Sequence, residues 1–202
     1  GAATYGDRYH VRFRGSSIEM PAGYDITWDQ PVKYDEGNQE GNVAEKGDHL
    51  EFIKNGKTLT FGEHYLAADI IRENAGAAGT FETLEAIVDV YGGAAKTALA
   101  TDSAINIKAG KFQSVYGGNK AGSHTGNTDI TVDSTVVGES KIVILRLDGA
   151  SVGEQTKPGG RTATITTTGN VTIQNLYNYD KLTVTSGELT IPAGAAANNT
   201  NI

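Results

Sequence analysis

The sequence predicts an all-β protein, a right-handed parallel β-helix in which short strands stack coil upon coil as a solenoid. Three observations predict this fold class. The 202-residue chain is rich in Gly (26), poor in Pro (4) and only 38% hydrophobic, which is typical of short strands joined by tight turns. Alternating apolar residues recur weakly through its second half. A small residue, often Gly, follows each apolar pair at a fixed offset, where it permits a sharp bend.

The repeated unit is two apolar residues two positions apart, then a bend and a third apolar residue. Its first and last copies match at Ile105 and Leu182, Ile107 and Val184, Gly110 and Gly187, and Phe112 and Leu189. Further copies begin at Ile130, Leu145 and Thr164, and Val90–Gly93 reappears as Val115–Gly118. One such unit cannot bury its own apolar face, whereas a stack of units buries a continuous core.

Stacking predicts which side chains point inward, because successive residues of a strand face opposite sides. Thr131, Thr172 and Thr190 are expected to point outward, with Thr172 over Thr190. Residues 119–127 are expected to project as a loop and to expose His124. The residues expected to point inward are Ile107, Phe112, Ile130, Val132, Val137, Val171, Ile173, Val184, Leu189 and Ile191.

The first 86 residues are less regular than the rest. We expect residues 1–86 to form an irregular N-terminal cap or early distorted coils, and residues 87–202 to form the β-helix repeats of one continuous domain. Residues 63–90 carry the best helical pattern. Asn55-Gly56 is a hairpin signal, so a β-sandwich is the alternative fold. We also expect the chain to be a fragment of a longer protein.

Composition excludes several classes of function. The formal net charge of −7 argues against a nucleic-acid partner, which needs clustered Lys and Arg. The absence of Cys excludes disulfides and zinc–thiolate sites. No apolar run approaches the roughly 20 residues needed to cross a bilayer, so membrane insertion by this chain is not expected.

The segment INIKAGKFQSVYGGN, followed by a loop and TDITVDSTV, resembles the repeats of large adhesin-like surface proteins of gut bacteria, which are similar to the pectin lyase-like right-handed β-helix. The resemblance covers about residues 87–192. It implies a bacterial protein that is extracellular or on the cell surface, with a host or cell-surface glycan or protein as ligand.

Function is less constrained than fold. No convergent catalytic motif is visible, so we expect a non-catalytic surface or adhesion module and assign no catalytic residue. Pectin lyase-like proteins also include polysaccharide lyases and glycoside hydrolases, so an enzyme of that class is the alternative. A passive stalk or spacer is the second alternative.

Asp25, Asp29 and Tyr34 cluster in sequence around Trp28. Carboxylates beside exposed aromatic rings could contact a sugar, so these four residues are the candidate ligand-binding site. The competing interpretation is that Trp28 packs in the core and the acids are solvated. For the enzyme alternative, the best candidates are Asp25, Asp29 and Asp35, because glycosidases act through paired carboxylates.

A calcium site is considered at Asn127, Asp129 and Asp133, which offer hard oxygen ligands near a Gly-rich loop. The segment matches neither the EF-hand loop nor the calcium-binding nonapeptide repeat. The four His residues lack zinc-pair spacing. We therefore expect no metal site and no cofactor, with calcium as the remaining alternative.

Overall fold

A computed structural model of the chain describes residues 11–13, 17–29, 32–34, 50–65, 88–136, 142–154, 162–191 and 197–198. Within these ranges the protein is all-β, with seventeen strands and no helix. None of the described segments is a helix able to cross a membrane.

In chain order the strands are β1 (Val11–Phe13), β2 (Ser17–Glu19), β3 (Ile26–Trp28), β4 (Val32–Tyr34), β5 (Leu50–Ile53), β6 (Lys57–Phe61), β7 (Val88–Tyr91), β8 (Ser103–Ile107), β9 (Gly110–Tyr116), β10 (Thr128–Asp133), β11 (Ile142–Asp148), β12 (Ala163–Thr168), β13 (Val171–Thr172), β14 (Leu176–Tyr177), β15 (Lys181–Ser186), β16 (Leu189–Thr190) and β17 (Ala197–Asn198).

Two large parallel sheets contain thirteen of these strands. The seven-stranded sheet has the order β17-β14-β11-β9-β7-β5-β2, and the six-stranded sheet has the order β15-β12-β10-β8-β6-β3. The remaining strands form two parallel pairs, β1-β4 and β13-β16. From β2 onward, strands of the two large sheets alternate along the chain, so each pass from one sheet to the other and back adds one strand to both.

The β-sandwich alternative is wrong, because it requires antiparallel hairpins and every described pairing is parallel. The strands that flank the Asn-Gly signal, β5 and β6, belong to different sheets. Asn55, Gly56 and Lys57 have φ values of 62°, 81° and 64°. This run of left-handed residues turns the chain onto the next sheet instead of reversing it.

The strands that precede residue 87 extend the same sheets as the later strands. β2 and β5 belong to the seven-stranded sheet, and β3 and β6 belong to the six-stranded sheet. Most of the predicted helical stretch, residues 66–87, lies outside the described residues. Its last residues, 88–90, form part of strand β7 instead.

The core lies between the two large sheets and is built from in-register apolar rows. One row is Ile18, Phe52, Val90, Val115, Leu147 and Leu176, and the facing row is Ile26, Leu59, Ile105, Ile130, Ile165 and Leu182. The inward prediction is confirmed for Ile107, Phe112, Ile130, Val132, Val171 and Ile173, which are buried. The predicted stacking of Thr172 on Thr190 is also confirmed.

Leu189 and Ile191 are partly buried against the core. Val184 pairs with the fully buried Thr167, so it lies in the inward register as predicted, but it is 44% exposed. β15 is the last strand of its sheet, so it has a described neighbour on one side alone. Val137 lies outside the described residues.

The predicted repeat register is wrong in two copies. The copy at Leu145 lies on β11 in the seven-stranded sheet, where Ile144 and Leu147 are buried. The copy at Thr164 is displaced by one residue, since Ile165 pairs with Ile130. Side chains of a strand alternate between its two faces, so a sequence shows which residues point inward only where one face is apolar and the other is polar. The Thr run of β12 lacks that contrast.

The excursion at residues 119–127 does not project as a free loop. It docks on the preceding excursion through the parallel bridge between Leu99 and His124. The side chain of His124 is fully buried, with Nε2 2.9 Å from the carbonyl oxygen of Thr101. The expected exposure of His124 is therefore wrong, because neighbouring coils have excursions long enough to pair.

Candidate functional site

The outward face of the six-stranded sheet carries a continuous line of small polar side chains. In register, strand by strand, these are Thr27, Thr60, Asn106, Thr131, Thr166 and Thr183, which we call the polar row. The pleat places them outside because each lies between or beside inward apolar residues. Thr is well suited to this position, since its branched side chain packs well on a pleated surface.

A groove of about 370 Å³, the first groove, lies beside the polar row. Asp129 lines this groove, and desolvation by the surrounding protein raises the pKa of its carboxyl. Asp102 Oδ1 accepts the Asn127 N–H at 2.7 Å, and Asn127 Oδ1 accepts the Thr162 N–H at 2.8 Å. The lining residues are Lys57, Thr58, Asp102, Ser103, Ala104, Asn127, Thr128, Asp129, Thr162 and Thr164.

A groove of about 470 Å³, the second groove, borders the polar row at Thr27 and Thr60. Asp29, Glu63 and Lys108 also line it. The groove therefore combines hydroxyl groups with side chains of both charges.

The turn at the second groove is closed by Asp29 and His64. Asp29 Oδ1 accepts the backbone N–H of His64 at 2.8 Å, and Asp29 Oδ2 lies 2.7 Å from His64 Nδ1. The hydrogen bond to Asp29 raises the pKa of His64. Glu63 Oε1 lies 4.0 Å from His64 Nε2. The arrangement can hold or release a proton at His64 beside two carboxylates.

The Trp28 ring does not form an exposed platform for a sugar beside Asp25 and Asp29. Trp28 packs against the core, edge-on to Phe52 with ring centroids 4.9 Å apart. Asp25 Oδ1 accepts the Thr58 N–H at 3.0 Å, a bond that lowers the pKa of Asp25. Tyr34 lies on β4, where it pairs with Phe13 of β1. Asp29 lines the second groove, and Asp35, the remaining enzyme candidate, lies outside the described residues.

The calcium candidates are spread along and beside β10. Asp129 and Asp133 are four residues apart on this strand, about 13 Å. Asp133 Oδ1 accepts the Thr135 N–H at 2.9 Å, and the amide oxygen of Asn127 binds Thr162. Across the described ranges, no three or more His, Asp or Glu side chains form a group that could hold a metal ion.

A cluster of aromatic rings and an arginine on the outward face of the seven-stranded sheet was not predicted. Tyr91 and Tyr116 stack with centroids 5.5 Å apart. The Arg146 guanidinium lies 5.4 Å from the Tyr116 centroid and 4.1 Å from that of Tyr177. Arg146 Nη2 also donates to Asp148 Oδ2 at 2.7 Å. These stacking and cation–π contacts link the neighbouring strands β7, β9, β11 and β14.

The repeated VYGG segment could have predicted the tyrosine stack, since Tyr91 and Tyr116 occupy the same position in its two copies. Arg146 and Tyr177 lie in coils that contain different numbers of residues. No repeat in the sequence therefore shows that these two side chains are neighbours. Comparisons with protein-family models, curated proteins and solved structures gave no match for this chain.

Proposed function

We propose that this chain is a non-catalytic extracellular module of a bacterial surface or adhesion protein, built as a right-handed parallel β-helix and binding a host or cell-surface glycan. The alternation of strands between two parallel sheets supports a helical winding. The strong preference of parallel strand connections for right-handed crossovers supports the right-handed winding.

The outward face of the six-stranded sheet carries the proposal. Six in-register strands present hydroxyl or amide groups there, and open grooves lie beside them. Hydroxyl and amide groups both donate and accept hydrogen bonds, as sugar hydroxyls do. A long, regular, polar face suits a polymer better than a small molecule, which usually binds in an apolar pocket.

A glycan array and a cell-binding assay on the purified chain test this function. Binding should weaken in the double variant Thr60→Ala/Asn106→Ala, because both side chains belong to the polar row. Thr172→Ala is the matched control, since its exposed side chain lies on the separate β13-β16 pair. A chain that binds no glycan and no cell, yet degrades a polysaccharide, would contradict the proposal.

The second groove favours a polysaccharide lyase or glycoside hydrolase as the second candidate. It places Asp29, held by His64, together with Glu63 and Lys108. Acid–base catalysis on glycans uses such titratable groups. Release of new chain ends from a polysaccharide, abolished by Asp29→Asn and retained in Thr172→Ala, would establish this candidate. A chain that neither binds nor degrades glycans would leave the passive stalk or spacer.

A further inference from the structure

The polar row has a regular geometry along the stack of coils. It places one short side chain on each of six adjacent strands, at intervals of about 4.8 Å, so it is about 24 Å long. All six side chains are uncharged, and Asn106 is the largest of them. Asn106 Nδ2 donates to Thr60 Oγ1 at 3.3 Å, so side chains of neighbouring coils come within hydrogen-bonding distance.

Charged groups lie beside the row, in the grooves. Lys57 and Asp129 line the first groove, and Asp29 and Lys108 line the second. The centre of the face therefore offers hydrogen bonds without a formal charge. Asp129 and the net charge of −7 would repel an acidic polymer.

Building on the proposed function, we propose that the polar row binds an extended, neutral, β-1,4-linked polysaccharide that runs across the strands, with about one sugar residue over each strand. An equatorially linked pyranose chain is a flat ribbon that advances per residue by nearly the spacing between strands. Its hydroxyl groups can therefore meet one Thr or Asn side chain on each successive coil. A ribbon laid along a strand would meet polar side chains at intervals of about 6.6 Å and lose this match.

Titration calorimetry with cello- and manno-oligosaccharides of two to six residues tests the inference. Affinity should rise with each added sugar up to six residues. Thr131→Val/Thr166→Val should weaken binding of the hexasaccharides roughly tenfold, because two hydroxyl partners are lost. Thr131→Ser/Thr166→Ser retains both hydroxyls and should restore binding, and Thr172→Val should have no effect. Thermal unfolding should show that all variants are folded.

Each other outcome has a distinct meaning. Binding that is independent of oligosaccharide length, or that survives Thr131→Val/Thr166→Val, would overturn the inference and leave glycan binding intact. Binding restricted to charged glycans, such as polygalacturonate or chitosan, would overturn the assignment to a neutral polymer. Binding to no glycan would overturn both this inference and the proposed function.

Discussion

At the residue scale, Ile130 and Thr131 are neighbours on β10 with opposite environments. Ile130 is fully buried between Ile105 and Ile165, whereas Thr131 faces outward in the polar row. Ile130→Ala should lower the free energy of unfolding by about 2–5 kcal/mol, because it leaves a cavity in a central coil. Thr131→Ala should change it by no more than about 0.5 kcal/mol. Chemical denaturation measures both, and equal losses would contradict the assigned faces.

Tyr65 is fully buried among Phe52, Phe61 and Phe112. Among the described residues its hydroxyl has no hydrogen-bond partner. Tyr65→Phe should therefore leave stability unchanged or raise it by about 1 kcal/mol, because a buried unpaired hydroxyl costs about 1–3 kcal/mol. Tyr65→Ala should cost about 3–5 kcal/mol. A large loss in Tyr65→Phe, measured by urea unfolding, would show that the hydroxyl is bonded.

Asn119 has a buried side-chain amide that connects its own excursion to the preceding one. Its Oδ1 accepts the Ala94 N–H at 2.7 Å, and its Nδ2 donates to the carbonyl oxygens of Thr97 and Ser123, both at 3.0 Å. Asn119→Ala should cost about 2–4 kcal/mol, because buried backbone groups lose their partners. Asn106→Ala is the control, since Asn106 is half-buried on the outward face. Similar Tm values for the two variants would contradict this role of Asn119.

At the scale of elements, the turn after β6 should respond to pH. The folded-state pKa of His64 is raised above its ordinary value of 6.5 by the bond to Asp29. Protonated His64 therefore favours the folded state. This contribution is complete below about pH 6.5 and disappears as pH rises through the folded-state pKa. The Tm difference between the parent chain and His64→Gln should be larger at about pH 5 than at pH 9; a constant difference would contradict the pair.

The same scale shows which elements sequence patterns can predict. β8, β10 and β9 alternate clearly between apolar and polar residues, so Ile107, Ile130 and Phe112 were correctly predicted to face inward. β11 carries apolar residues at successive positions, so alternation assigned it to the wrong sheet. β12 is largely Thr, so alternation placed its register one residue off. Sheet membership depends on the number of residues in each coil, which the short repeat does not encode.

At the scale of the molecule, the parallel all-β architecture was predictable, because units that cannot bury their own apolar face must stack. The grooves were not, since each collects residues from coils far apart in sequence. Asp29 and Lys108 line one groove although they are separated by most of the first half of the chain. The pairing of Asp29 with His64 was missed for the same reason. Trp28 could be interpreted in two ways because an alternating strand does not show which face its partners cover.

The order of the strands has a mechanical consequence. β2 and β3 lie at one end of the two large sheets, and β17 and β15 lie at the other. Tension between the two ends therefore acts along the interstrand hydrogen bonds and peels strands off singly, instead of shearing many bonds at once. The strands at the two ends should yield first, since Ile18 and Ile26 at one end and Leu182 and Val184 at the other are incompletely covered. Under load the chain should therefore lengthen in a series of small steps, one for each strand that detaches.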